Sequence, residues 1–130
     1  MSTDKTLSFA FRKPVLPILV DVNGHVIVAE SNRALLQKLV ALDPTTDNDF
    51  DAVDAAGEGW GVHIIEEGIV VSPLVWKKTW TKLELIRLCN GRRNRPPDEK
   101  PYPETSLGSK KLSRIISDLA RRLLEAERGH

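Results

Sequence analysis

The spacing of hydrophobic and polar residues predicts an extended start to this chain. Leu7, Phe9 and Phe11 alternate with small or polar residues, which puts the three side chains on one face of a β-strand. Pro14 and Pro17 follow, and neither can donate a hydrogen bond to a sheet. We therefore expect the next strand to lie at a sheet edge or to begin late, after these prolines.

Two β-hairpins are expected in the first 75 residues. Asn23-Gly24 separates two β-branched runs, residues 18–22 and 25–30, and this dipeptide suits a two-residue turn that needs positive φ at both positions. A second hairpin is predicted over residues 61–75, turning at Glu67-Gly68, and its β-branched residues would pack against the first hairpin.

Helical spacing predicts three helices. Ser31 is a suitable N-cap for a helix that Asp43-Pro44 ends, and Thr81 with Glu84 forms a capping-box pattern for a short helix ending at Asn90-Gly91. The last helix, from Ser109, carries an apolar stripe, with Arg114, Asp118, Arg121 and Glu125 outside it. The stripe consists of Leu112, Ile115, Ile116, Leu119, Leu123 and Leu124.

The remaining segments lack regular spacing. Residues 43–61 are rich in Asp, Gly, Ala and Thr and predict a long acidic loop, and the proline-rich residues 92–106 predict an extended connector. We expect a single α+β domain over residues 1–130. Its antiparallel sheet of about four strands (two hairpins) is covered on one face, with one helix between the hairpins and two C-terminal helices.

Composition changes this picture by showing that charge is segregated. Residues 1–73 carry five Lys/Arg against eleven Asp/Glu, whereas residues 74–130 carry fourteen against seven, although the whole chain has a net charge of only +1. The predicted domain thus has an acidic β-rich part (1–75) and a basic helical part (76–130). A concentrated cationic region is typical of a surface that meets phosphate or an acidic protein.

The basic part supplies the candidate binding residues. Lysine and arginine side chains contact phosphate and release counterions, and tryptophan rings stack on unpaired bases. The candidates are Trp76, Lys77, Lys78, Trp80, Lys82, Arg92, Arg93, Arg95, Lys110, Lys111 and Arg114. Two other interpretations stay open: a solvated basic surface whose tryptophans belong to the core, and a surface for an acidic protein. A helix-turn-helix is disfavoured because the proline-rich connector is too long for its turn.

Catalytic and metal chemistry have weak support. His63 and Glu66 lie on opposite faces of one predicted strand, and no serine or cysteine nucleophile motif accompanies the histidines. Asp47, Asp49, Asp51 and Glu58 have the spacing of a calcium loop, but Ala52 stands where such a loop needs glycine. Whether the acidic loop binds a cation stays open. The single Cys89 excludes an intrachain disulfide.

These observations predict a small, non-enzymatic protein without a cofactor that contacts nucleic acid or a nucleoprotein complex. No hydrophobic stretch is long enough to cross a membrane and no secretory leader is visible, so we expect a cytoplasmic location. The alternative is a protein–protein interaction module or homodimeric accessory subunit. The apolar stripe of the last helix would then either cover the sheet or pair with a second copy.

Overall fold

A computed structural model describes residues 6–42, 49–66, 68–74 and 79–128. It confirms the α+β class but not the sheet of four antiparallel strands, because the described residues form a mixed sheet of six strands. The strands are β1 (Thr6–Phe9), β2 (Ile18–Val22), β3 (His25–Ala29), β4 (Asp49–Val53), β5 (Gly59–Ile65) and β6 (Gly68–Pro73). The α-helices are α1 (Asn32–Leu42), α2 (Lys82–Asn90) and α3 (Leu112–Arg128).

The strand order is β1-β6-β5-β4-β2-β3, and only β1 and β6 run parallel. Both predicted hairpins are present, since β2 pairs with β3 and β5 pairs with β6, each antiparallel. The second turn is not at Glu67-Gly68 as predicted, because Gly68 belongs to β6 and pairs with Ile65, and Glu67 lies outside the described residues. The first turn has positive φ at Asn23 (54°) and Gly24 (89°), as its sequence predicts. The expectation that the two hairpins pack against each other is wrong, because β4 lies between β2 and β5.

Strand β4 also corrects the prediction of a long acidic loop over residues 43–61, of which residues 43–48 lie outside the described part of the chain. Phe50 and Ala52 are buried on one face of the strand, whereas Asp49 and Asp51 lie on the other, so the segment alternates as a strand does. Strand β5 then begins at Gly59. The high content of aspartate and alanine concealed this alternation, and strand propensity gave way to the burial of one face.

The beginning of the chain follows its pattern only in part. Leu7 and Phe9 of β1 pack against the core, but the Phe11 side chain is 95% exposed. The strand ends before Phe11 because the Arg12 N–H donates to the Ala10 oxygen (2.9 Å), closing a γ-turn in which Phe11 has a φ of 73°. Strand β2 begins directly after Pro17, in agreement with the expected late start.

Both faces of the sheet are covered, not one as expected. Leu35 and Leu39 of α1 pack on one face with Trp60 and other core residues, whereas α2 and α3 pack on the opposite face. Ile115, Leu119 and most of the predicted stripe of α3 are buried there. The apolar stripe of α3 therefore packs against the sheet of its own chain. A homodimer through the C-terminal helix would need the same stripe to be exposed.

The N-terminal ends of α1 and α2 agree with their sequence signals, whereas α3 begins at Leu112 and not at Ser109, and Asp43-Pro44 lies outside the described residues. Ser31 Oγ accepts from the Ala34 N–H (3.0 Å), and Thr81 and Glu84 exchange both hydrogen bonds of a capping box. The connector departs from the expected extended chain at its end, where Glu104–Gly108 form a 3-10 helix. None of the helices in the described ranges has the length and apolar character needed to span a membrane.

Candidate cationic site on the last helix

The polar stripe of α3 is organised around one carboxylate. Arg114, Asp118 and Arg121 are spaced by four and three residues, which places them on the same side of the helix. Asp118 Oδ1 accepts from Arg114 Nε (3.1 Å) and from an Nη of Arg121 (2.9 Å). The Asp118 side chain is only 11% exposed, which corrects the expectation that this residue lies on an outer, solvated face.

The second oxygen of Asp118 faces the connector. Asp118 Oδ2 accepts from the Tyr102 hydroxyl (2.7 Å) and from Lys110 Nζ (3.1 Å). Tyr102 is held in place by Asn90 at the end of α2, whose carboxamide bonds both the N–H (2.8 Å) and the carbonyl oxygen (3.1 Å) of Tyr102. The buried ring of Tyr102 therefore fixes the depth at which Asp118 lies.

Hydrogen bonding keeps this carboxylate ionised. Burial by itself raises the pKa of Asp118, but the hydrogen bonds from Tyr102, Lys110 and Arg114 outweigh it and lower the pKa to about 2. The hydrogen bonds of Lys110 to Tyr102 and Asp118 raise the pKa of the Lys110 ammonium in turn. Asp118 and Lys110 thus stay charged throughout the neutral range.

The cluster has more positive than negative charge, and its cations face solvent. The side chains of Arg114 and Arg121 are 63% and 61% exposed, and that of Lys110 is 35% exposed. Three cations therefore share one carboxylate. Lys111, one turn before Arg114, is also exposed. We call Lys110, Lys111, Arg114, Asp118 and Arg121 the α3 cationic site.

Two other predicted cations have internal roles. The Arg92 side chain is 1% exposed, and its guanidinium donates to both carboxylate oxygens of Glu99 and to the Cys89 carbonyl. Arg95 donates to the carbonyl oxygens of Asn90 and Glu99. Arg92 is therefore inaccessible to an external phosphate, and both arginines hold the connector in its fold.

Lys82 and Arg93 make their hydrogen bonds away from the α3 cationic site. Lys82 Nζ donates to the Leu107 carbonyl (2.9 Å), which ties α2 to the 3-10 helix. The backbone N–H of Arg93 donates to the Gly24 carbonyl (2.7 Å), whereas its side chain is exposed. Arg93 thus lies beside the first hairpin, at the β3 edge of the sheet.

Trp80 does not belong to the predicted stacking surface. Trp80 is 9% exposed and its indole Nε1–H donates to the Ala52 carbonyl (3.2 Å), so its ring belongs to the core rather than to a base-binding face. Trp76, Lys77 and Lys78 lie outside the described residues. Of the predicted residues that the structure describes, Lys110 and Arg114 come together at Asp118, where Arg121 joins them, and Lys111 is exposed beside Lys110 in the sequence.

Polar side chains of three neighbouring strands, β4, β5 and β6, form a chain of contacts that the sequence did not predict. His63 Nδ1 lies 2.8 Å from Asp49 Oδ1 and His63 Nε2 lies 3.0 Å from Ser72 Oγ. This order of groups activates serine in hydrolases when the carboxylate is buried. Here Asp49 is 79% exposed, so water competes for it, and we assign no catalytic role to this chain of contacts.

The calcium-loop spacing is described only in part, because Asp47 lies outside the described residues, and the described positions near it have other partners. Asp54 is fully buried and accepts from three backbone N–H groups and from the indole of Trp60, and Glu58 pairs with Arg12. The partner Arg12 lowers the pKa of Glu58 by hydrogen bonding. Among residues 6–42, 49–66, 68–74 and 79–128, no group of three His, Cys, Asp or Glu side chains is arranged to hold a metal.

Comparisons with known proteins add no functional assignment. Neither a protein-family model, nor a curated protein, nor a solved structure matches this chain.

Proposed function

We propose that this protein is a non-enzymatic binding protein that contacts the phosphate backbone of nucleic acid through the α3 cationic site. One observation supports the proposal above the others: Asp118 draws Lys110, Arg114 and Arg121 together, although it can neutralise only one of them. Cations held a few ångströms apart repel each other, and an external anion relieves that repulsion.

The side chains suit phosphate. Arginine presents a planar fork of donors that matches phosphate oxygens, and lysine provides a compact positive charge. Because Arg114 bonds Asp118 through Nε and Arg121 through one Nη, each arginine keeps other N–H donors for a ligand. The contact would position the protein on a backbone without reading sequence, since phosphates are the same at every step.

Fluorescence anisotropy with labelled double-stranded DNA, single-stranded DNA and RNA tests this proposal at ~50 mM salt, where non-specific binding is strong. We expect binding by the wild type and a loss of about tenfold or more in the double variant Arg114→Ala/Arg121→Ala. The control Arg33→Ala/Arg87→Ala also removes two exposed positive charges, one from α1 and one from α2, and should bind as the wild type does.

Two results would contradict the proposal. The first is no binding to any of the three nucleic acids, and the second is an equal loss of affinity in both double variants, which would show that only net charge matters. Polyglutamate serves as a comparison ligand of the same sign. Tighter binding to polyglutamate than to every nucleic acid would favour an acidic protein as the partner instead.

A further inference from the structure

The two edges of the sheet differ in whether their outward backbone groups are hydrogen-bonded. At the β3 edge, the Asn94 carboxamide accepts from the Val26 N–H (3.0 Å) and donates to the Val26 carbonyl (2.8 Å), as a neighbouring strand would. Lys38 Nζ donates to the Val28 carbonyl on the same strand. Together with the backbone bond from Arg93, these contacts close the edge against another strand.

The opposite edge, β1, is open in the described part of the chain. The Ala10 N–H donates to the Val71 carbonyl (2.9 Å), so the backbone groups of Ala10, Ser8 and Thr6 face β6. Leu7 and Phe9 therefore direct their N–H and C=O groups outward. Among the described residues, no hydrogen bond satisfies these four groups.

Strand β1 is only four residues long, but it lacks the other features that discourage pairing at an edge. Such strands usually carry a lysine, a proline or a bulge. The sequence Thr-Leu-Ser-Phe contains no charge and no proline, and its pairing with β6 is regular. The exposed ring of Phe11 comes two residues after Phe9, in a γ-turn with a φ of 73°.

We propose that two copies of this protein pair through β1, antiparallel and about a two-fold axis. The register follows from which groups face outward. If Leu7 of one copy opposes Phe9 of the other, each pair exchanges two N–H···O bonds and all four outward groups of each strand are used. Ser8 of one copy then faces Ser8 of the second copy at the axis.

A second copy is the occupant that the strand itself favours. The pattern Leu7-Ser8-Phe9 is complementary to itself only in this antiparallel register, as a two-fold interface requires. Ser8 is small, uncharged and exposed, so the two strands can approach at the axis without repulsion or a clash. A four-residue seam buries little area, so we expect a weak dimer with a dissociation constant on the order of micromolar.

A cysteine crosslink tests the register directly. Opposed residues of a non-hydrogen-bonded pair have Cα atoms about 4.5 Å apart, within the range of a disulfide. Mild oxidation should therefore convert Ser8→Cys into a covalent dimer. The matched control is Thr6→Cys, on the same strand and the same face. Its two copies would lie four residues apart along the seam, about 13 Å, and should not crosslink.

The outcomes separate cleanly. Failure of Ser8→Cys to crosslink, or equal crosslinking of both variants, would overturn the proposal, since the second result indicates random collision.

Sedimentation equilibrium gives an independent measurement on the unmodified protein. The average mass should rise with concentration in the wild type and stay monomeric in Ser8→Asp, which places two like charges at the axis. A wild-type mass that stays monomeric to ~100 µM, well above the expected micromolar constant, would also overturn it. None of these results depends on nucleic-acid binding.

Discussion

At the scale of residues, Asp118 explains how cationic side chains of α3 come together. Its position in the sequence, between Arg114 and Arg121, suggests a surface residue with helical ion pairs. The tertiary contact that changes its role comes from Tyr102, sixteen residues away. A hydroxyl from a connector cannot be placed by periodicity, so the organising function of Asp118 could not be predicted from the sequence.

We expect Asp118→Asn to destabilise the fold by about 1–3 kcal/mol at pH 7, because charge-assisted hydrogen bonds are lost while exposed cations recover part of their hydration. Urea unfolding measures the change. The control is Glu125→Gln, an exposed carboxylate two turns further along the helix. Equal stability of Asp118→Asn and wild type at pH 7 would show that the hydrogen bonds of the Asp118 carboxylate do not stabilise the fold.

The same carboxylate predicts a dependence on pH. The pKa of Asp118 is about 2 in the folded protein and ~3.9 in an unfolded chain. The ionised carboxylate therefore makes its whole contribution to the free energy of unfolding at pH values above the unfolded pKa. The contribution is lost as pH falls towards 2. The difference in unfolding free energy between wild type and Asp118→Asn should therefore be constant from pH 5 to 7 and shrink below pH 4. A difference that is constant down to pH 2.5 would exclude this mechanism.

Cys89 gives a second prediction at this scale. Burial raises the pKa of the Cys89 thiol to about 12, so almost no thiolate exists at pH 8. We expect a thiol reagent such as 5,5′-dithiobis(2-nitrobenzoic acid) to leave the native protein unmodified and to label one thiol per chain in urea. Rapid labelling of the native protein would show that α2 opens more easily than its packing indicates.

At the scale of elements, local signals were predicted well and distant pairings were not. The Asn23-Gly24 turn and the Thr81–Glu84 capping box each lie within a few residues, and both are present in the structure. The parallel pairing of β1 with β6 joins segments about sixty residues apart, and nothing in either strand specifies its partner. Strand β4 was missed because its alternation occurs among aspartates and alanines.

The connector was expected to be extended, but its contacts give it a structural task. Replacing Asn94 with alanine leaves the N–H and C=O of Val26 unpaired at the β3 edge, which we expect to cost about 1–3 kcal/mol. Denaturant unfolding measures the loss, and light scattering should detect association through the opened edge. Thr105→Ala, a truncation at an exposed connector position, is the control. Loss of the same size in both variants would argue against this role of Asn94.

At the scale of the whole molecule, the charge segregation in the sequence does not produce one positive surface among the described residues. Arg92 and Arg95 form ion pairs with Glu99, and Arg87 pairs with Glu104. Carboxylates of the basic half therefore neutralise much of its own positive charge. Sequence counting could not show this, because it locates charges along the chain and not in space. What persists is a smaller cationic site on α3, and the proposed function depends on that site.

The salt dependence of nucleic-acid binding measures how many phosphates the α3 cationic site contacts. The logarithm of affinity falls with the logarithm of salt concentration by about 0.9 for each phosphate contact on double-stranded DNA. Four contacts, from Lys110, Lys111, Arg114 and Arg121, predict a slope of about −3.6 for the wild type. Arg114→Ala/Arg121→Ala should reduce the slope to about −1.8, and Arg33→Ala/Arg87→Ala should leave it unchanged. Identical slopes for all three proteins would show that the α3 cationic site does not contact phosphate.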